Sequence, residues 1–105
     1  MHVIIIGPDD AGLGAAFRDR SASVKHIAEF ASQRTLRAAG VADAAVLVLT
    51  DVAQATAIPV ARECAPDITV LVYSDSSLPE FAAPLADYII DPAAIPPSVV
   101  VDEIS

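Results

Sequence analysis

The residues able to do chemistry in this chain cluster where apolar runs stop. Gly7-Pro8-Asp9-Asp10-Ala11-Gly12 follows the run Val3-Ile4-Ile5-Ile6 and precedes a stretch with helical spacing. That is the context of a glycine loop holding a pyrophosphate on backbone N–H groups at a helix start. Gly7 and Gly12 stand at the first and third glycines of G-x-G-x-x-G. Asp9 stands at the second, where a carboxylate blocks and repels a phosphate. Glu29 lies about twenty residues on, at the distance from which an acidic residue accepts a ribose hydroxyl. Thr50 and Asp51 end the third apolar run, Ser74-Asp75 the fourth and Asp91 the fifth. Gly7, Pro8, Asp9, Gly12, Glu29, Thr50 and Asp51 are therefore candidates for a nucleotide site, with plain turns and solvated strand ends as the competing reading. Asp9, Asp10 and Asp51 form a second constellation, because converging carboxylates suit a hard cation such as Mg²⁺. Against it stands the ordinary use of an aspartate such as Asp51 as a helix N-cap.

The elements that must position these residues alternate. Short β-branched runs are separated by helical spacing, the pattern of a parallel sheet covered on both faces. Strands are expected at Val3–Ile6, Val24–Ala28, Ala45–Leu49, Ile68–Tyr73 and Tyr88–Ile90. The second belongs at an edge because Lys25 and His26 interrupt it. Asp9 or Asp10 caps a first helix running to about Arg20, and Ser32 caps a second that Gly40 closes. Asp51 opens a third to about Ala65, kinked or split at Pro59. Ser77–Leu85 reads as a short helical segment broken by Pro79 and Pro84, and Val99–Ile104 as a final turn or more. Right-handed crossovers make this one α/β domain over residues 1–105. It is a three-layer sandwich with a five-stranded, mostly parallel, Rossmann- or flavodoxin-like sheet ordered 2-1-3-4-5.

Composition removes several function classes. With 14 acidic and 6 basic residues the formal charge is -8, which opposes phosphate-backbone binding, so no nucleic-acid partner is expected. The acidic residues are scattered along the chain, consistent with a solvated, salt-adapted surface. Apolar runs reach only strand length, short of a membrane span. The N-terminus lacks the basic and small-residue pattern of a signal peptide, which makes the cytoplasm the expected location. The single Cys64 permits no internal disulfide and reads as a small hydrophobe. His2 and His26 have no metal-spaced partner. Tyr73, Phe81 and Tyr88 are too few for a base-stacking platform and read as core or subunit-contact residues.

Four segments carry a resemblance. Leu36-Arg37-Ala38-Ala39-Gly40-Val41-Ala42-Asp43-Ala44, Val46-Leu47-Val48-Leu49-Thr50-Asp51, Ala61-Arg62-Glu63-Cys64-Ala65-Pro66-Asp67 and Ala86-Asp87-Tyr88-Ile89-Ile90-Asp91-Pro92 together resemble the Rossmann-type domain of RCK regulators of potassium transport. The resemblance implies NAD(H) or adenine-nucleotide binding through Gly7 and Gly12, an acidic residue at Glu29 and a polar one at Thr50. One strand-helix unit of that family is missing. The chain is also similar to short haloarchaeal proteins that circulate under a CTP-synthetase label. It has neither an ATP loop of the G-x-x-x-x-G-K-[ST] type nor a histidine partner for Cys64, so that activity is not expected. Asp9, Asp10, Asp51 and Ser74 also look like a response-regulator receiver, in which the central aspartate accepts a phosphoryl group. Receivers place a lysine after the fifth strand; this chain has Asp91 there. The expectation is a non-catalytic regulatory or sensing domain with a weak nucleotide site. A receiver-like domain with a Mg²⁺ pocket around Asp51, and a scaffold that homodimerises through an apolar helix face, are the alternatives.

Overall fold

A computed structural model of the chain, describing residues 1–104, contains five strands, β1 (His2–Ile6), β2 (Ser23–Ile27), β3 (Val46–Leu49), β4 (Thr69–Tyr73) and β5 (Tyr88–Ile90). Its four helices are α1 (Leu13–Arg18), α2 (Gln33–Ala38), α3 (Ala57–Cys64) and α4 (Pro97–Ile104). All neighbouring strands pair in parallel, in the order β2-β1-β3-β4-β5. This is the expected order, and the chain is an α/β protein of flavodoxin- or receiver-like form.

After His2, β1 is apolar without interruption, as is all of β3, because both faces of those central strands are covered. Alternation then sorts the side chains by face. Val3 and Ile5 pack with Leu13, Phe17, Val100 and Val101 from α1 and α4. Ile4 and Ile6 pack with Leu36, Ile58 and Ala61 from α2 and α3. As the sequence predicts, β2 lies at an edge with Lys25 and His26 exposed.

Three elements differ from expectation, and proline explains each. The stretch after Asp51 is not one kinked helix but a 3-10 turn, Val52–Gln54, followed by α3. Pro59 occupies the first turn of α3, where a missing N–H forfeits no helical bond. Between β4 and β5 only Ala83–Leu85 forms a 3-10 turn, so the longer helical segment does not form around Pro79 and Pro84. The last helix begins earlier than expected, because Pro97 supplies a first helical position with φ already set.

Arg62, on α3, fastens the sheet's N-terminal end. Its guanidinium donates to the carbonyls of Ile68 and Leu85, each at 2.8 Å, and to Asp87 Oδ2 at 2.9 Å. Asp87 Oδ2 also accepts the Val70 N–H at 2.7 Å, joining the start of β5 to β4. Among the described residues no helix is long and apolar enough to cross a membrane.

Candidate functional site at the strand ends

The parallel sheet delivers the loops after β1, β3, β4 and β5 to one edge, the edge where doubly wound sheets bind ligands. Two clefts open there, one on each side of the β1 end. The first, of about 220 Å³, is lined by Pro8, Asp9, Asp10, Thr50, Tyr73, Ser74, Asp75 and Pro92. The second, of about 260 Å³, is lined by Gly7, Pro8, His26, Ala28, Asp51 and Gln54.

The chain itself decides what the glycine loop holds. Asp9 Oδ1 accepts the Leu13 N–H at 2.8 Å and Asp9 Oδ2 accepts the Gly14 N–H at 2.9 Å. These are the first donors of α1, the groups a bound phosphate would use. The charge that appears misplaced in the sequence is thus an internal anion on the helix start. Gly14 makes room for it, since a Cβ there would sit 2.8 Å from Asp9 Oδ2. Gly7 has a comparable internal reason. Its φ is +105°, and a Cβ would lie 2.8 Å from the Asp51 backbone nitrogen and collide with Thr50 Oγ1. The glycine therefore lets β1 and β3 end against each other. Gly12 turns the chain into α1 with open space around it.

The other candidates divide between the clefts. Thr50 faces the first cleft, and its hydroxyl donates to the Ile6 carbonyl at 3.2 Å. Asp51 faces the second, where its Oδ1 accepts the Ala53 N–H at 3.0 Å. This is the N-cap use expected for it, here on a 3-10 turn. Glu29 is exposed and lines neither cleft; only its backbone carbonyl takes part, accepting from Gln54 Nε2 at 3.2 Å. The acidic Mg²⁺ set of Asp9, Asp10 and Asp51 is divided between the two clefts. Asp51 lines the second cleft while Asp9 and Asp10 line the first, and the Asp9 oxygens accept from the start of α1. Among the described residues no three His, Cys, Asp or Glu side chains stand together in a metal-holding group. The side chains present do not fit the cation.

Two contributors escape sequence reasoning. Gln54 accepts the Ala31 N–H at 2.7 Å while donating to Glu29, closing the loop after β2 over the second cleft. No spacing or motif marks it, because it acts through backbone groups distant in sequence. His26, which reads as exposed or structural, points Nε2 at the Gly7 carbonyl and borders the same cleft. Tyr73, which reads as a core or subunit-contact residue, is buried, with its hydroxyl donating to the Ile95 carbonyl at 2.7 Å. Burial, and secondarily the nearby Asp91 charge, pushes that hydroxyl above the ordinary tyrosine range.

The first cleft thus combines three carboxylates, two hydroxyl side chains and a buried phenol with no basic side chain in its lining. A model of a family of unknown function, DUF7126, matches residues 3–104. The chain belongs to the DUF7126 family. No curated protein matches it.

Among solved structures, a response regulator of Burkholderia pseudomallei, with a phosphorylated aspartic acid, a calcium ion and citrate, matches with a TM-score of 0.68 at 15% identity. The match covers 99% of this chain and 66% of that one. A pilus assembly-related protein of the same organism matches with a TM-score of 0.64 at 16% identity, covering 99% and 88%. A pilus assembly protein, CpaE, of Burkholderia thailandensis matches with a TM-score of 0.62 at 16% identity, covering 99% and 97%. Identities this low establish a shared fold. The family shown is DUF7126, and no RCK assignment is shown.

Proposed function

We propose that this DUF7126 chain is a non-catalytic, receiver-like regulatory domain whose signalling does not run through an aspartyl phosphate. The observation that carries the reading is the sign of the strand-end cleft. Asp9, Asp10 and Asp75 line it, no basic residue does, and Asp91 stands at the end of β5 where a receiver has lysine. A phosphoryl group adds up to two negative charges and needs a cation where that charge develops. This edge offers further repulsion instead. The parallel 2-1-3-4-5 sheet and the likeness to a response regulator and to pilus assembly proteins support the receiver-like part. The nucleotide reading loses support at α1, where Asp9 already takes the N–H groups a phosphate would bind.

The test is incubation of the chain with acetyl phosphate and Mg²⁺, followed by intact-mass measurement, beside thermal unfolding with NAD⁺, NADH, ATP or AMP. The expected result is no phosphoryl adduct and no nucleotide-dependent shift. A ligand at a hundredfold its dissociation constant would stabilise the fold by ~2.7 kcal/mol, an easily seen shift. A phosphoryl adduct that disappears in Asp51→Asn would overturn the proposal. So would stabilisation by a nucleotide that is lost in Gly12→Asp.

A further inference from the structure

The two edges of the sheet are finished differently. β2 exposes Lys25 and His26, charged or polar groups of the kind that discourage a free edge from pairing. β5 reads Tyr88-Ile89-Ile90 and carries no charge. Tyr88 and Ile90 pack toward the α1 and α4 side, so strand alternation directs Ile89 to the opposite face. There the crossover from β4 contains only a single 3-10 turn. Ile89 is left 55% exposed on an edge strand, and Phe81, in the same crossover, 53% exposed.

Charge is unevenly distributed along the chain. Although acidic residues occur throughout, residues 1–62 hold six acidic and six basic side chains, whereas residues 63–105 hold eight acidic and no basic ones. The excess of -8 thus arises in the part of the sequence that forms β4, β5 and α4, although Asp87 pairs with Arg62 and Asp102 with Arg20. Asp91 and Glu80 are exposed close to β5 and Phe81 in sequence.

We propose that the β5 edge docks an extended, positively charged segment of another protein, which joins the sheet beyond β5 as a sixth strand. Main-chain hydrogen bonding to an open strand edge supplies affinity, and alternate side chains supply specificity. An apolar side chain of the partner covers Ile89, and its lysines or arginines meet the acidic surround. A second copy of this chain is the poorer occupant, because pairing β5 with itself brings the exposed acidic residues beside it, Glu80 and Asp91, close to their own copies. The inference does not depend on what the strand-end clefts bind, so the two proposals fail separately.

The test uses the full chain and fluorescent synthetic peptides with an alternating Val-Thr core, flanked at both ends by lysine or, as control, by glutamate. Anisotropy is expected to show binding of the lysine-flanked peptide that weakens at least about tenfold between low and 0.5 M salt, as expected when charges attract through solvent. Amide shifts in NMR are expected to centre on Tyr88–Asp91. Ile89→Lys is expected to abolish binding at unchanged circular dichroism, and Asp91→Lys to weaken it, which keeps the test readable if the first variant misfolds. No binding of the lysine-flanked peptide overturns the proposal, as does equal binding of the glutamate-flanked one. A concentration-dependent dimer that Ile89→Lys dissolves overturns it in favour of a second copy.

Discussion

At the scale of single residues, Asp9 changes the meaning of the loop that contains it. Its carboxylate holds the Leu13 and Gly14 N–H groups, and a carboxylate at a helix start gains from both hydrogen bonding and the helix dipole. Asp9→Ala is expected to cost about 1–2 kcal/mol in urea unfolding, typical of a lost cap. Asp9→Asn should recover part of that, since its amide oxygen still accepts one bond. Gly7→Ala is expected to cost more, about 2–4 kcal/mol, because it adds left-handed strain to a collision with the Asp51 backbone. Tyr73 sets an alkaline limit. Its hydroxyl is held above the usual value near 10 by burial, with Asp91 adding to it. A raised folded-state pKa means that this stabilisation is complete below the unfolded value and is lost as pH rises through the folded one. Unfolding midpoints measured from pH 8 to 11 should therefore fall above about pH 10, and less steeply in Tyr73→Phe.

At the scale of elements, proline placement separates local pattern from realised structure. Helical spacing after Asp51 continues across Pro59, yet the chain resolves it into a 3-10 turn and a helix that begins just before the proline. Spacing alone does not reveal that division, because Pro59 is tolerated or disruptive according to which turn contains it. The β4 to β5 crossover, with Pro79 and Pro84, forms only a 3-10 turn. Arg62 and Asp87 hold its far end by bonds to Ile68, Leu85 and Val70. Arg62→Met is expected to cost about 1–3 kcal/mol, as it removes charge-assisted bonds from half-buried carbonyls. Hydrogen exchange should then quicken at β5 before it does at β1 or β3, because β5 is the shorter, outer strand.

At the scale of the molecule, all excess negative charge is carried by the half containing β4, β5 and α4. Self-repulsion of that half is relieved by screening, so the urea midpoint at pH 7 is expected to rise between 0.05 and 0.5 M sodium chloride, by an equivalent of about 1 kcal/mol. The doubly wound frame was legible in the sequence because central strands buried on both faces must be continuously apolar, and edge strands need not be. Run length and β-branching marked the five strands, and the charges in β2 marked it as an edge. The strand-end residues were legible as a set for the same reason, since parallel strands bring their following loops to one edge. Their partnership was not. Whether Asp9 faced a ligand or its own helix, and whether Asp51 joined Asp9 and Asp10 or turned into the neighbouring cleft, depended on a few ångströms of loop geometry. So did the tie that Gln54 makes between loops distant in sequence. Burial and period are written into each segment separately. The direction of a carboxylate at a strand end is settled only when the N–H groups it can reach are in place.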